Sequence, residues 1–411
     1  MMVDRAASAG SSRITSPTLR NASGKPGSSV STRPSAPEVT NIPSEYPVFW
    51  RKLFLLLGHV KPQTRTVTQS LVVGVDAGAT STRVAVHTLD GTRVGYARAG
   101  AGNPTAHGLA KAVAAVGAAL GEALGTHDGA RVAGSLAGVA GYVAEMAPGL
   151  AKVWADQGIP EEPRCMGDLQ IAYAAGSPEP DGSLLLSGTG AAAARIMGFE
   201  LDAVADALGW LLGDSGSGFW IGRAAAKAVV DAFDRGMPVE AIDTAGPKAA
   251  DGPWPNGPEA AGAHEPAGPA VTLVSLVAGH FLGNERPATP RDVASRIVRL
   301  AQADHMRLAA LSPLVSRAAE AGDPMAAGIV HEAAGRLVAT LERVHVSGPV
   351  VLAGSVLTAD GPIRRAVTGL LAGETVTTAR DAAGAAAWLA ARTLLPETEA
   401  KAQHAAFTAA P

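Results

Sequence analysis

Residues 71–88 read Leu71-Val-Val-Gly-Val-Asp-Ala-Gly-Ala-Thr-Ser-Thr-Arg-Val-Ala-Val-His-Thr88. The opening Leu71–Val75 is a short apolar run of buried-strand character, and Thr82–Thr88 is a second run rich in strand-forming residues. Between them stands Asp76-Ala-Gly-Ala-Thr-Ser81, a turn of small residues. There, backbone N–H groups and hydroxyls can approach an anion with no bulky side chain in the way. Asp90-Gly91 then turns the chain into a third strand over Arg93–Arg98. This order predicts a β-meander.

Further along, the spacing of apolar residues predicts helices over about 105–124 and 142–157, alternating with strands over 132–136 and 164–166. Strands alternating with helices after a meander indicate an α/β domain. A second half repeats part of this grammar. Ser183–Ser187 runs into Gly188-Thr189-Gly190, and Ala191–Met197 reads as a return strand, so strand, small turn, strand occurs twice. Residues 290–343 carry helical spacing, Pro349–Ser355 is a buried strand ending in a third glycine turn, and a helix is expected over about 382–393. Between 246 and 270 the chain is almost entirely Gly, Pro, Ala and polar residues and reads as a flexible insertion.

Composition narrows the function classes. The chain has 411 residues, with 34 basic against 37 acidic ones and a net charge of −3, so no positive field is available to recruit nucleic acid. The single cysteine, Cys165, excludes an intramolecular disulfide framework, a cysteine-based zinc site and an iron–sulfur cluster held by one chain. A reducing, cytoplasmic setting fits that usage. Residues 1–45 are rich in Ser, Thr, Pro, Gly and Asn and cannot bury enough surface to offset their chain entropy. The apolar stretch Tyr46–Leu57 is interrupted by Arg51 and Lys52, is too short to span a bilayer, and reads as a linker or docking helix. The ten histidines lack metal-ligand spacing.

Neither Gly-x-x-x-x-Gly-Lys-[Ser/Thr] nor a helix-opening Gly-x-Gly-x-x-Gly follows the first strand, so the P-loop and Rossmann readings fall. Three strand-terminal turns of small residues, Asp76–Ser81, Ser187–Gly190 and Ala353–Ser355, stand instead. The set resembles the sugar kinase, heat-shock protein and actin superfamily. Within it, Gly209-Trp-Leu-Leu-Gly-Asp-Ser-Gly-Ser-Gly-Phe-Trp-Ile-Gly222 is similar to the Gly-Asp-Glu-Gly-Ser motif of the N-acetylglucosamine kinase branch, which shares its family with the BadF/BadG/BcrA/BcrD ATPases. Ser215 stands where that branch usually has Glu.

The resemblance covers about residues 71–395 and implies an α/β fold of two actin-like, ribonuclease H-like domains with a nucleotide and sugar cleft between them. We expect residues 1–70 to be a disordered or linker extension and 71–178 to be the first domain, completed by a closing helix at about 382–395. Residues 179–381 would be the second domain, carrying the 246–270 insertion, and 396–411 a polar tail. The resemblance also implies site residues. Gly78, Thr80 and Ser81 in the first turn, and Gly188, Thr189 and Gly190 in the second, would hold the ATP phosphates, and Gly354 and Ser355 would back the adenosine. Asp76 would hold Mg²⁺ through water, in keeping with that ion's retained hydration.

Asp168 matches the catalytic base, and Asn103, Asp168 and Asp214 match the sugar ligands. A sugar hydroxyl is a poor nucleophile, and a carboxylate within hydrogen-bond reach can orient it and accept its proton. The implied activity is ATP-dependent phosphorylation of an amino sugar, N-acetylglucosamine at O6 first, with glucosamine or a relative as the alternative acceptor. A non-catalytic sugar or nucleotide sensor is the reading from another class. A dehydratase activator of the same family would need two cysteines per chain, and a repressor would need a zinc motif or helix-turn-helix that the residues lack. The implied partners are ATP and a small amino sugar, with neither nucleic acid nor membrane, and a homodimer as the assembly common in the family.

Overall fold

The Leu71–Val75 run extends through Ala77 as β1. Leu71, Val72, Val73 and Val75 are all buried, as expected of a central strand covered on both faces. The computed structural model describes residues 70–244 and 272–411. The N-terminal extension, the Tyr46–Leu57 stretch and the 246–270 insertion lie outside those residues.

Around β1 assemble β2 (Thr82–Thr88), β3 (Arg93–Ala99), β4 (Val132–Val139) and β5 (Arg164–Gly167), in the order β3-β2-β1-β4-β5. The meander pairs are antiparallel and the β1–β4 and β4–β5 pairs are parallel. The second sheet comprises β6 (Gly182–Ser187), β7 (Ala191–Met197), β8 (Glu200–Asp206), β9 (Val350–Ala353) and β10 (Val376–Thr378). Its order is β10-β9-β6-β7-β8. Numbered within its own half, that is the arrangement of the first sheet, so the repeat of strand, small turn, strand is one topology used twice. Two of these strands are absent from the sequence reading. β8 is an exposed edge strand carrying Glu200, Asp202 and Asp206, and β10 has only three residues, so neither carries a buried-strand signal.

The helix Ala382–Ala391 lies between the sheets. Every residue from Ala383 to Ala391 is buried, so it carries no amphipathic stripe. It runs so close over β1 that a Cβ on Gly74 would lie 2.1 Å from the Ala383 carbonyl oxygen. Only glycine admits that approach. The helix Asp168–Ala174 shares the layer, and one hydrophobic core joins Val72, Leu136 and Ile171 from the first half to Leu184, Ala194 and Val351 from the second, around Trp388. The outer face of the first sheet packs on the helices Leu109–Leu124 and Ala147–Asp156. The outer face of the second packs on Gly218–Asp234 and Pro324–Glu342, among others. The expected helical run over 290–343 is four helices, broken at Asp304, Ala310 and Ala321–Asp323. Among the described residues no helix is long and apolar enough to cross a membrane.

One expectation needs correction. Residues 396–411 are not a polar tail: Glu397–Phe407 is a helix that buries Ala400, His404 and Phe407 against the inter-sheet layer. Its three buried residues sit at spacings of four and three, one narrow stripe among charged neighbours, which a composition-based reading passes over.

Candidate active site

In open α/β sheets, ligands gather at the carboxyl ends of parallel strands. At that edge of the first sheet, Ala77, Val139 and Gly167 stand in register across β1, β4 and β5. Asp168 follows directly, as the first residue of its helix. The Gly78–Ser81 turn leaves β1 at the same edge, closed by Gly78 N–H to the Ser81 carbonyl at 2.9 Å. Ala79 and Thr80 are exposed at its tip, whereas Ser81 is buried. Gly102 N–H donates to the Gly78 carbonyl at 2.9 Å, which brings the 101–107 segment against the turn. Asn103 caps the short helix Pro104–His107, its Oδ1 accepting from the N–H groups of Thr105 at 2.9 Å and Ala106 at 3.0 Å. Capping sets the orientation of that side chain.

At the carboxyl edge of the second sheet, the Gly188–Gly190 turn meets the third turn. A Cβ on Gly354 would lie 2.3 Å from the Ser187 carbonyl oxygen and 2.7 Å from Gly188 N, and Gly354 has a φ of +82°. Backbone shape and backbone contact therefore both require glycine there. Thr189 and Ser355 are exposed beside this junction. The 209–222 motif is folded over the same turn. Gly218 N–H donates to the Gly188 carbonyl at 2.8 Å, Ser187 Oγ donates to the Gly216 carbonyl at 3.0 Å, and Asp214 Oδ1 accepts from Ala191 N–H at 3.2 Å. Asp214 itself has a φ of +55°. That left-handed backbone is held by Asp206, whose two oxygens accept from the N–H groups of Asp214 at 2.7 Å and Ser215 at 2.9 Å.

Burial pushes the Asp168 carboxyl above its ordinary range, and the negative charge of Asp76 pushes it further. Burial raises the Asp76 carboxyl as well, opposed by Arg83, whose Nη1 lies 3.0 Å from Asp76 Oδ2. Asp214 is raised by burial, with its Ala191 hydrogen bond opposing and Asp206 adding to the rise. Two coupled carboxylates at a sheet edge fit a hard divalent cation that keeps most of its water and takes its remaining ligands from phosphate. Among the described residues no larger cluster of metal-binding side chains occurs.

The predicted residues thus fall into two groups. Asp76, Gly78, Thr80, Ser81, Asn103 and Asp168 share the edge of the first sheet, while Gly188, Thr189, Gly190, Asp214, Gly354 and Ser355 share that of the second. Among the described residues, no hydrogen bond or ion pair joins the two groups. Two residues in this arrangement are absent from the sequence reading. Arg83 is the cross-strand partner of Asp76, a pairing that strand register could have flagged. Asp206 ends the unforeseen edge strand, so nothing local marked it as the clamp of the Asp214 loop. A concavity lined by Ser135, Glu161, Arg164 and Thr393 lies at the opposite ends of β4 and β5, away from these residues.

Comparison with known proteins places the chain. A model of the BadF/BadG/BcrA/BcrD ATPase family matches residues 73–388. A solved structure from Chromobacterium violaceum, named as a candidate N-acetylglucosamine kinase, is 21% identical with a TM-score of 0.53, covering 78% of this chain and 99% of its own. Another with that candidate activity, from Porphyromonas gingivalis, is 19% identical with a TM-score of 0.50, covering 82% and 98%. At such identities the likeness is one of fold, and that fold is the two-domain actin-like one. No curated protein matches the chain.

Proposed function

We propose an ATP-dependent amino-sugar kinase, from the premise that the chain belongs to the BadF/BadG/BcrA/BcrD ATPase family. The observation that carries the proposal is the placement of Asp168. Its carboxyl stands at the start of a helix on the carboxyl edge of the first sheet, electrostatically coupled to Asp76. A raised carboxyl is a stronger base than an ordinary one, which suits removal of a hydroxyl proton.

In the proposed reaction an acceptor hydroxyl, O6 of the sugar, donates a hydrogen bond to the Asp168 carboxylate, which takes its proton as the new O–P bond forms. The bond between the γ-phosphorus and its bridging oxygen breaks, and ADP departs. Magnesium, held through water at Asp76, would neutralise phosphate charge when bound. Thr80 in the first turn and Thr189 and Gly190 in the second would grip the phosphates through hydroxyls and N–H groups, while Gly78 and Gly188, whose own N–H groups close the two turns on the carbonyls of Ser81 and Gly190, would leave the phosphates room to approach, with Ser81 supporting the first turn. Gly354 and Ser355 would back the nucleoside. Asn103 and Asp214 are proposed as ligands of sugar hydroxyls, Asp214 through the lone pairs that Ala191 leaves free. The same scheme assigns residues 71–178 with the closing helix to one domain and 179–381 to the other. N-acetylglucosamine is the proposed acceptor, on the similarity of the 209–222 motif and the names borne by the two solved structures.

The test is ADP release at fixed Mg-ATP with glucosamine, N-acetylglucosamine, N-acetylmannosamine, N-acetylmuramic acid and glucose, alongside Asp168→Asn. Turnover on one amino sugar that the substitution abolishes is the expected result. Silence on all five with saturable sugar binding would replace the kinase by a sensor.

A further inference from the structure

The family match ends at residue 388, yet the helix Glu397–Phe407 is hydrogen-bonded to both helices of the inter-sheet layer. Trp388 Nε1 donates to the Ala400 carbonyl at 2.6 Å, which ties it to the helix Ala382–Ala391. His404 Nε2 lies 2.6 Å from the carbonyl oxygen of Ala174, the last residue of the helix that Asp168 begins. A carbonyl only accepts, so Nε2 carries the proton. The His404 ring is buried and sits edge-on to Trp388 with centroids 4.7 Å apart. Phe407, fully buried, anchors the far end against the His87 ring at 4.9 Å.

The Asp168–Ala174 helix has only seven residues, and a helix shorter than roughly 12 residues does not hold itself together in water. Its register must come from outside contacts. One is Ile171, packed where a side chain on Gly138 would otherwise sit. Two more lie at its C-terminal end, where Arg380 N–H donates to the Ala175 carbonyl at 3.1 Å and His404 donates to Ala174. At 1.5 Å per residue the Ala174 carbonyl is about 9 Å along the axis from Asp168. A tilt at one end is therefore delivered to the carboxyl at the other.

We infer that the C-terminal helix is a strut for the Asp168 helix and that His404 is its positioning residue. The inference rests on the kinase reading for the role of Asp168, while the hydrogen bond itself does not. Two variants test it. His404→Leu removes the donor and keeps an apolar filling, and His404→Gln returns an N–H near the position of Nε2. Amide hydrogen exchange of residues 168–174 and steady-state kinetics are measured on each full-length protein. The Leu variant should exchange faster at 168–174 than at 382–391, with kcat lowered about tenfold or more and the ATP KM little changed, because misplacement of a reacting group by about 1 Å costs rate before affinity. The Gln variant should restore both. A Leu variant with wild-type kcat, or one whose exchange rises uniformly and is not rescued by Gln, overturns the inference. If the wild type transfers phosphate to none of the sugars, the kinase reading fails, and local exchange at 168–174 alone then upholds or overturns the strut.

Discussion

Gly354→Ala puts the junction of the second and third turns under direct test. The added Cβ would meet Ser187 O at 2.3 Å, Ser187 C at 2.4 Å and Gly188 N at 2.7 Å, all backbone atoms with no flexible end to swing aside. The residue also has a φ of +82° with a ψ of 152°, a region almost reserved to glycine that costs an L-residue about 1–3 kcal/mol. Overpacking of a fitted contact adds about 1–3 kcal/mol, so the combined cost is about 2–6 kcal/mol, which is large against whole-protein stability. If strain is relieved by moving the Gly188 turn away, ATP affinity should fall together with stability. The assay is urea unfolding with and without ATP, beside Gly335→Ala as the control. Gly335 is exposed in the helix Pro324–Glu342 with open space at its Cβ position, so that change should stabilise by about 0.5–1 kcal/mol. Opposite signs at the two glycines are expected. A Gly354→Ala protein with unaltered unfolding midpoint and ATP affinity would refute the close approach of the two turns.

Asp168→Asn should lower turnover about 10²–10⁴-fold, the span of general acid–base contributions, with ATP binding retained by calorimetry. The same change should raise the melting temperature at neutral pH. The folded-state pKa of Asp168 lies above its unfolded value, so folding binds extra protons in that window and stability falls as pH rises through it; a lower melting temperature would contradict the burial cost assigned to this carboxyl. For the same reason the acid limb of kcat/KM should sit above the ordinary carboxylate range, activity appearing as pH rises through the raised pKa, and a pH–rate profile with its limb inside that ordinary range would count against Asp168 as the base. Phe407→Ala should cost about 3–5 kcal/mol in urea unfolding, since the ring is fully buried in the core shared by the sheets; a loss below about 1 kcal/mol would mean that the C-terminal helix is not docked as described.

Much of the fold was legible because its signals are local. Leu71–Val75, Ser183–Ser187 and Val350–Ala353 are continuous apolar runs, as strands buried on both faces must be, and each ends in a turn of small residues that breaks the pattern sharply. β8 and β10 stayed hidden because an edge strand needs no apolar face and a three-residue strand has no period to read. The C-terminal helix was missed for a related reason. Its buried stripe is one residue wide, and its stability comes from partners at Ala174 and Trp388 that are remote in the chain.

For the site, the family resemblance singled out Asp76, Asp168, Asp214 and the three turns as candidates, because the motifs that carry it are written into single short segments. Their grouping was not. That Gly354 abuts Ser187, that Arg83 holds Asp76, that Asp206 sustains the left-handed backbone of Asp214 and that His404 reaches the end of the Asp168 helix are all contacts between segments distant in sequence or joined only through strand register. A sequence states which groups are present and what each neighbourhood prefers. Which carboxylates lose their water, which acquire a cation beside them and which backbone is forced left-handed depend on packing across the sheets, and only the tertiary structure decides that.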